Sequence, residues 1–255
     1  MTTAYPPLST PMSDSLLQVD GVTRRFGGVT AAADITLDVP RGQIAGLIGP
    51  NGSGKTTLFG IVSGHLRLDG GRVLFDGADV TGLDEPATSR RGLLRTFQQP
   101  QVYGSLTCLE NMQISNSEPC GLFRAAPATR KGADDWLGFV GLSQQRALAA
   151  GALSFGQRKL LEFAMALMRD PQMILLDEPT AGVSPVLAER MGELLRHVNG
   201  SLGVTLLIVE HNMPFLMGLA DRVHCLAQGR LIASGTPEAI REDPRVRAAY
   251  LGSLI

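Results

Sequence analysis

The sequence predicts an α/β fold built around a mostly parallel sheet, and three observations carry this expectation. Residues 43–49 (QIAGLIG), 173–178 (MILLDE) and 204–209 (VTLLIV) are compact, nearly continuous apolar runs, as strands buried on both faces would be. Stretches of helical spacing separate them, with Leu58, Ile61, Val62 and Leu66 in one and Leu187, Met191, Leu194 and Leu195 in another. Strands that alternate with helices imply a parallel sheet with right-handed crossovers.

The elements follow in order. Residues 1–15 (MTTAYPPLSTPMSDS) read as a disordered tail, with Met12 as an alternative start. They lack the basic region and apolar core of a secretory signal. LLQVDGVTRRF and AADITLDV are strand-like. In GGRVLFDGADVTGL the GG and DG pairs are expected to mark turns between short strands. Residues 99–152 have fewer β-branched side chains, scattered Pro and Gly, and an amphipathic stretch around 135–140, so a small helical subdomain is expected there. From Leu153 a helix pattern resumes with Leu160, Leu161, Phe163, Ala164, Leu167 and Met168. No internal repeat occurs.

Composition narrows the function classes. A chain of 255 residues that is 44% hydrophobic can bury one large core, with or without a smaller subdomain. A net charge of −1 and no basic stripe argue against nucleic acid as a partner. Cys108, Cys120 and Cys225 have neither metal-ligand spacing nor a disulfide-dense pattern, which suits a reducing compartment. No apolar run approaches the length of a membrane span.

Residues 49–57, Gly49-Pro50-Asn51-Gly52-Ser53-Gly54-Lys55-Thr56-Thr57, fit the pattern G-x-x-x-x-G-K-[ST]. Glycines let backbone N–H groups curl round an anion, and the helix that begins there adds its positive end. Lys55 is expected to reach the β- and γ-phosphates of a nucleotide, and Thr56 to ligate Mg²⁺. The pattern arises by chance in roughly one 250-residue chain in a hundred, and a strand before it with a helix after it makes chance rarer still. The run MILLDE delivers Asp177 and Glu178 to the carboxyl edge of the sheet, where open parallel sheets bind ligands. Asp177 is expected in the Mg²⁺ shell, and Glu178 is placed to polarise an attacking water. A DE pair after a strand is otherwise most often a solvated turn; beside the cradle that reading loses its force.

Residues 153–157, LSFGQ, form a capping box in which Ser154 caps a helix and Gln157 reaches back. A helix start with glycine at its second position is also an anion site. LSFGQ resembles the signature LSGGQ of the ABC ATPases, and the resemblance covers the chain from about Leu17 to Gly252. It implies a P-loop (RecA-like) core with an N-terminal antiparallel β subdomain and a small α-helical subdomain. Residues 16–252 would form one nucleotide-binding domain, with the helical subdomain at about 99–165. Carried over residue by residue, Phe26 in TRRFGG stacks on adenine. Gln98 in RTFQQP contacts Mg²⁺ at the hinge to the helical subdomain, and His211 in LLIVEH touches the γ-phosphate. Ser154, Gly156 and Gln157 close on the ATP of a second subunit in a head-to-tail dimer. Alone, a histidine at a strand end or a Phe before GG is most often structural. His65, His197 and His224 match no motif and keep that reading.

Two positions depart from the family pattern. Phe155 stands where the signature usually has Gly, as in amino-acid uptake members. Ser184 in AGVSP stands where an Asp is usual, and is placed to cap the next helix with Pro185 at its first position. The wording of AGVSP, VEHNMPFLMGLADRV, GTPEAIREDPRV and AYLG resembles the ATPases of branched-chain amino-acid importers. That resemblance implies ATP and Mg²⁺ as ligands, transmembrane permease subunits reached through residues 100–103 and the helices after them, and a second nucleotide-binding subunit, identical or similar. It also implies a substrate-binding protein and a place on the cytoplasmic face of the plasma membrane. Urea, short amides, a lipid or polysaccharide exporter, a soluble ABC ATPase and a P-loop kinase are the alternatives. A kinase would not need LSFGQ.

Overall fold

The computed structural model of the chain describes residues 14–115 and 132–251. Most of the expected tail, Cys120, residues 116–131 of the expected helical subdomain and Gly252 lie outside them. The described elements are β1 (Ser15–Phe26), β2 (Val29–Pro40), β3 (Ile44–Ile48), α1 (Lys55–Val62), β4 (Gly70–Phe75), β5 (Ala78–Asp79), α2 (Glu85–Arg90), β6 (Leu93–Arg95), α3 (Cys108–Ser115), α4 (Ala133–Val140), α5 (Phe155–Met168), β7 (Met173–Asp177), α6 (Pro185–Leu202), β8 (Thr205–Val209), α7 (Met213–Met217), β9 (Arg222–Ala227), β10 (Arg230–Gly235), α8 (Pro237–Glu242) and α9 (Pro244–Leu251).

The strands form two sheets. A four-stranded antiparallel sheet has the order β2-β1-β4-β5, and a six-stranded sheet has the order β10-β9-β3-β8-β7-β6. The larger sheet is parallel except for β10. Its three central strands β3, β8 and β7 are buried at every residue. Because successive strand side chains point to opposite faces, each of these strands serves two cores. Ile44, Ile48, Ile174, Leu176, Leu206 and Ile208 enter the core shared with α4, α5 and α6. Ala45, Leu47, Met173, Leu175, Leu207 and Val209 enter the core closed by the antiparallel sheet and α1. A continuous apolar run is therefore needed, and an alternating one would leave a face uncovered.

Three local expectations change. Ser15, placed in the tail by the sequence, opens β1. The Gly70-Gly71 pair, expected as a turn, starts β4. A Cβ on Gly71 would lie 2.4 Å from the carbonyl of Gly21, so this glycine permits a close strand approach. Asp76-Gly77 is a turn as expected, a two-residue hairpin loop with φ of 52° and 73°. Leu66 falls outside α1 but still packs on the second core. Ser184 and Pro185 do start α6, with Ser184 Oγ accepting the amide of Leu187 at 3.3 Å.

Candidate nucleotide site

The loop between β3 and α1 is walled by backbone. A Cβ on Gly49 would sit 2.2 Å from the carbonyl oxygen of Leu226, and one on Gly54 would sit 2.4 Å from that of Ala31. No side chain fits at either position. Gly54, at φ 103°, starts α1 without a side-chain cap, so the first amides of the helix keep their donors. Asn51, Gly52 and Thr56 are exposed, Pro50 and Thr57 half-buried, and Ser53 and Lys55 buried. The Ser53 hydroxyl has no hydrogen-bond partner. Lys55 Nζ donates to the carbonyls of Gly49 (2.7 Å) and Pro50 (3.1 Å). Burial lowers its pKa, opposed by the nearby carboxylates of Glu178 and Asp177. A buried ammonium, an unpartnered hydroxyl and open amides at a helix start fit an anion of phosphate type.

The acids complete the other wall. Asp177 ends β7, and its carboxylate is 2.9 Å from Arg95 Nη2. That guanidinium lies 5.0 Å from the Phe97 ring centroid. Glu178 follows at φ 50°, its amide donating to the carbonyl of Val209 at 2.9 Å. Gln98 Nε2 donates to Glu178 Oε2 at 3.0 Å, and His211 Nε2 lies 3.1 Å from Oε1. Two residues predicted separately, Gln98 and His211, thus converge on the carboxylate of a third, Glu178. No group of three or more His, Cys, Asp or Glu able to hold a metal occurs among the described residues. Magnesium commonly takes one or two carboxylates and completes its shell with waters and substrate phosphates, and the single carboxylate of Asp177, here paired with Arg95, fits that donor set.

Several residues escaped the sequence reading. Glu210, 3% exposed, accepts the amides of Thr180 (2.8 Å), His211 (2.8 Å) and Asn212 (3.0 Å), as well as the Thr180 hydroxyl. It thereby ties the loop after β7 to the loop that carries His211. Lys159 Nζ donates to the backbone carbonyl of Glu178. One turn on, the buried Glu162 accepts the amides of Phe97 (3.4 Å) and Gln101 (3.1 Å). An acid directly before His211 at a strand end was a usable signal; Lys159 and Glu162 carry none without the fold.

The remaining predicted residues lie elsewhere. Ser154 and Gln157 bond each other, Gln157 N to Ser154 Oγ at 3.2 Å and Ser154 N to Gln157 Oε1 at 3.0 Å. A Cβ on Gly156 would meet Leu187 Cδ2 at 2.2 Å. Phe26 ends β1, 45% exposed, with the Arg24 guanidinium 4.7 Å from its ring. His65 lies 3.5 Å from Glu85, His197 packs on Phe139, and His224 is buried.

The ABC transporter family description matches residues 32–181, and the description of the branched-chain amino acid ATP-binding cassette transporter matches residues 230–253. The chain is 36% identical over 254 residues to the high-affinity branched-chain amino acid transport ATP-binding protein BraF of Pseudomonas aeruginosa, covering 94% of this chain and 99% of that one. It is 35% identical over 253 residues to LivG of Escherichia coli K12, with the same coverage. The crystal structure of the ADP conformation of MJ1267, an ATP-binding cassette of an ABC transporter, superposes with a TM-score of 0.83 at 33% identity, covering 93% of this chain and 99% of that one.

This chain belongs to the ABC transporter ATPase family. In this ABC ATPase both departures from the family pattern meet in one place. The Phe155 ring lies 3.2 Å from where a Cβ on Gly182 would be, so the unusual signature residue rests on the loop that ends in Ser184. Lys159 Nζ lies 5.5 Å from the same ring. The signature, the loop after Glu178 and the lysine that holds the Glu178 carbonyl are therefore packed together.

Proposed function

We propose that this ABC ATPase energises uptake of branched-chain or other amino acids, with residues 16–252 as one nucleotide-binding domain and about 99–165 as its helical subdomain. The convergence of Gln98 and His211 on Glu178, opposite Lys55, carries the catalytic part. Residues 49–57 bind the phosphates of ATP, and Phe26 stacks on adenine. Thr56, Gln98 and Asp177 hold Mg²⁺, which neutralises charge on the phosphate oxygens when bound. Glu178 takes the proton of the attacking water, and Gln98 and His211 orient its carboxylate and position that water against the γ-phosphate. Ser154, Gly156 and Gln157 complete the site of a second subunit, so ATP binding favours the closed dimer.

The names of the relatives support the substrate class. A half-open cavity of about 470 Å³ between α2, β6 and α5, lined by Glu85, Leu94, Phe97, Gln101, Glu162 and Met165, supports docking of a permease beside the Gln98 segment. No described helix is long and apolar enough to cross a membrane, so the spanning partners would be other chains, with this one peripheral on the cytoplasmic face. A substrate-binding protein would deliver the amino acid.

Glu178→Gln should abolish turnover and leave ATP binding intact; undiminished hydrolysis would remove Glu178 as the base. Recovery of permease subunits with this chain from native membranes would support the transport reading. A chain found soluble, alone and fully active would overturn it.

A further inference from the structure

The C-terminal segment of the chain touches the nucleotide site in one place that the reaction above does not use. Strand β3 pairs with β9 as far as Ile48 and Cys225, and Gly49 lies one residue beyond. The Gly49 amide donates instead to the hydroxyl of Tyr250, at 2.9 Å across 201 residues. Gly49 cannot move away from this contact on its other side, because the Leu226 carbonyl already fills the space of its missing Cβ. Tyr250 sits on α9, four residues and about one turn after Val246, which is 6% exposed in the core shared with α5 and α6. Val246 and the Tyr250 ring, also packed against that core, fix the helix, and the fixed helix aims the hydroxyl. Burial and the neighbouring Cys225 push that hydroxyl up to about 12, so it stays neutral and acts as an acceptor without adding negative charge beneath the loop.

We propose that Tyr250 is a positioning residue for the nucleotide: its hydroxyl braces the first amide of the phosphate loop from behind and so sets ATP affinity rather than turnover. The inference rests on residues 49–57 being the phosphate cradle. The hydroxyl holds the peptide on the strand side of Gly49, while the carbonyl on the loop side accepts from Lys55. The first residue of the loop is thus clamped at both ends before any ligand arrives, and the amides that follow start from a fixed point. Without the hydroxyl, the Gly49 amide must find another acceptor, and the loop loses the geometry that a rigid anion site needs. Residues 230–251, the described part of the segment that the branched-chain cassette description matches, would then be a strut for the cradle.

The test compares Tyr250→Phe with the unaltered full chain by calorimetric titration of MgATP, with melting temperature and saturating turnover measured in parallel. Loss of one hydrogen bond predicts a Kd for ATP raised about three- to ten-fold, with turnover at saturation within about two-fold. A purely structural tyrosine would lower the melting temperature and leave the Kd unchanged, and that result overturns the proposal. Val246→Ala keeps the hydroxyl but loosens the helix, and should also weaken ATP binding; an unchanged Kd there counts against the strut. Lys55→Ala separates the two failures. Strong loss of ATP binding in Lys55→Ala beside a normal Tyr250→Phe removes the brace alone, whereas undiminished binding in Lys55→Ala removes the cradle reading and the brace with it.

Discussion

Helix α1 starts without a side-chain cap at Gly54, whereas α5 starts in a capping box in which Ser154 and Gln157 occupy each other's amides. Both starts carry glycine motifs, and both are candidates for contact with a nucleotide. The first keeps its amide donors open beside a buried lysine. The second uses the amides of Ser154 and Gln157 and leaves those of Phe155 and Gly156. A complete anion site needs several donors pointing one way. The comparison therefore suits a chain in which α1 binds ATP alone, while α5 contributes only against a nucleotide already held by another subunit.

The glycines differ in the same sense. Gly49 and Gly54 abut backbone carbonyls, which cannot retreat, whereas Gly156 abuts the end of the Leu187 side chain, which can rotate. Gly54→Ala should therefore have the largest effect. Left-handed strain of about 1–3 kcal/mol, added to the collision, should weaken ATP binding by a single chain about 100-fold or more. Titration checks this, and near-normal affinity would break the contrast. Gly156→Ala should leave ATP binding by the single chain unchanged and lower hydrolysis by the assembled dimer, by roughly ten-fold if an oxyanion-type contact is disturbed. Equal loss in both assays would show that α5 serves its own cradle. Ser154→Ala should cost about 1 kcal/mol of stability, a drop of about 2–4 °C in melting temperature, with ATP affinity of the single chain unchanged.

A pH dependence adds a further test. Burial pushes the carboxyl of Glu162 up to about 7, so between about 4.5 and 7 the folded chain holds a proton that the unfolded chain releases. Stability from this group falls as pH rises through that window. Burial pushes His224 down to about 4, so the unfolded chain takes up a proton below about 6.5 that the folded chain refuses until about 4. Stability from His224 falls as pH drops through that window. The two slopes oppose each other. Glu162→Gln keeps an acceptor for Phe97 and Gln101 but removes its slope, so its melting temperature relative to the unaltered chain should improve from pH 5 to pH 7.5. A difference that stays flat with pH would mean that Glu162 is ionised throughout.

The parts legible in the sequence share a property. The cradle is one continuous run in which the glycines shape the backbone and Lys55 and Thr56 follow at once with their side chains, and β3, β7 and β8 are recognisable because burial on both faces demands a nearly continuous apolar run. Asp177 and Glu178 could be placed because a strand end fixes where its next side chains go, whereas His211 was placed by the match of LLIVEH to the family motif. The strand β10 and the helices α7 to α9 offered no comparable pattern. They are short and pack through a few residues each, such as Leu216, Ile240 and Val246. Gly70-Gly71 misled because the same residue type serves turns and close strand approaches alike.

What the sequence determined by itself is therefore the chemistry held within single local segments: a phosphate loop before a helix, two acids after a strand, and a capped signature helix. The tertiary structure alone decided the pairings between segments: Arg95 with Asp177, Lys159 with the Glu178 carbonyl, Glu162 with the Gln98 segment, Glu210 with two loops, and Tyr250 with Gly49. Those contacts join residues 30 to 201 positions apart, except where Glu210 holds its own loop and Lys159 spans 19. A hydrogen bond forms wherever a donor and an acceptor are brought within reach, and only the packing of the sheets and helices says which ones are.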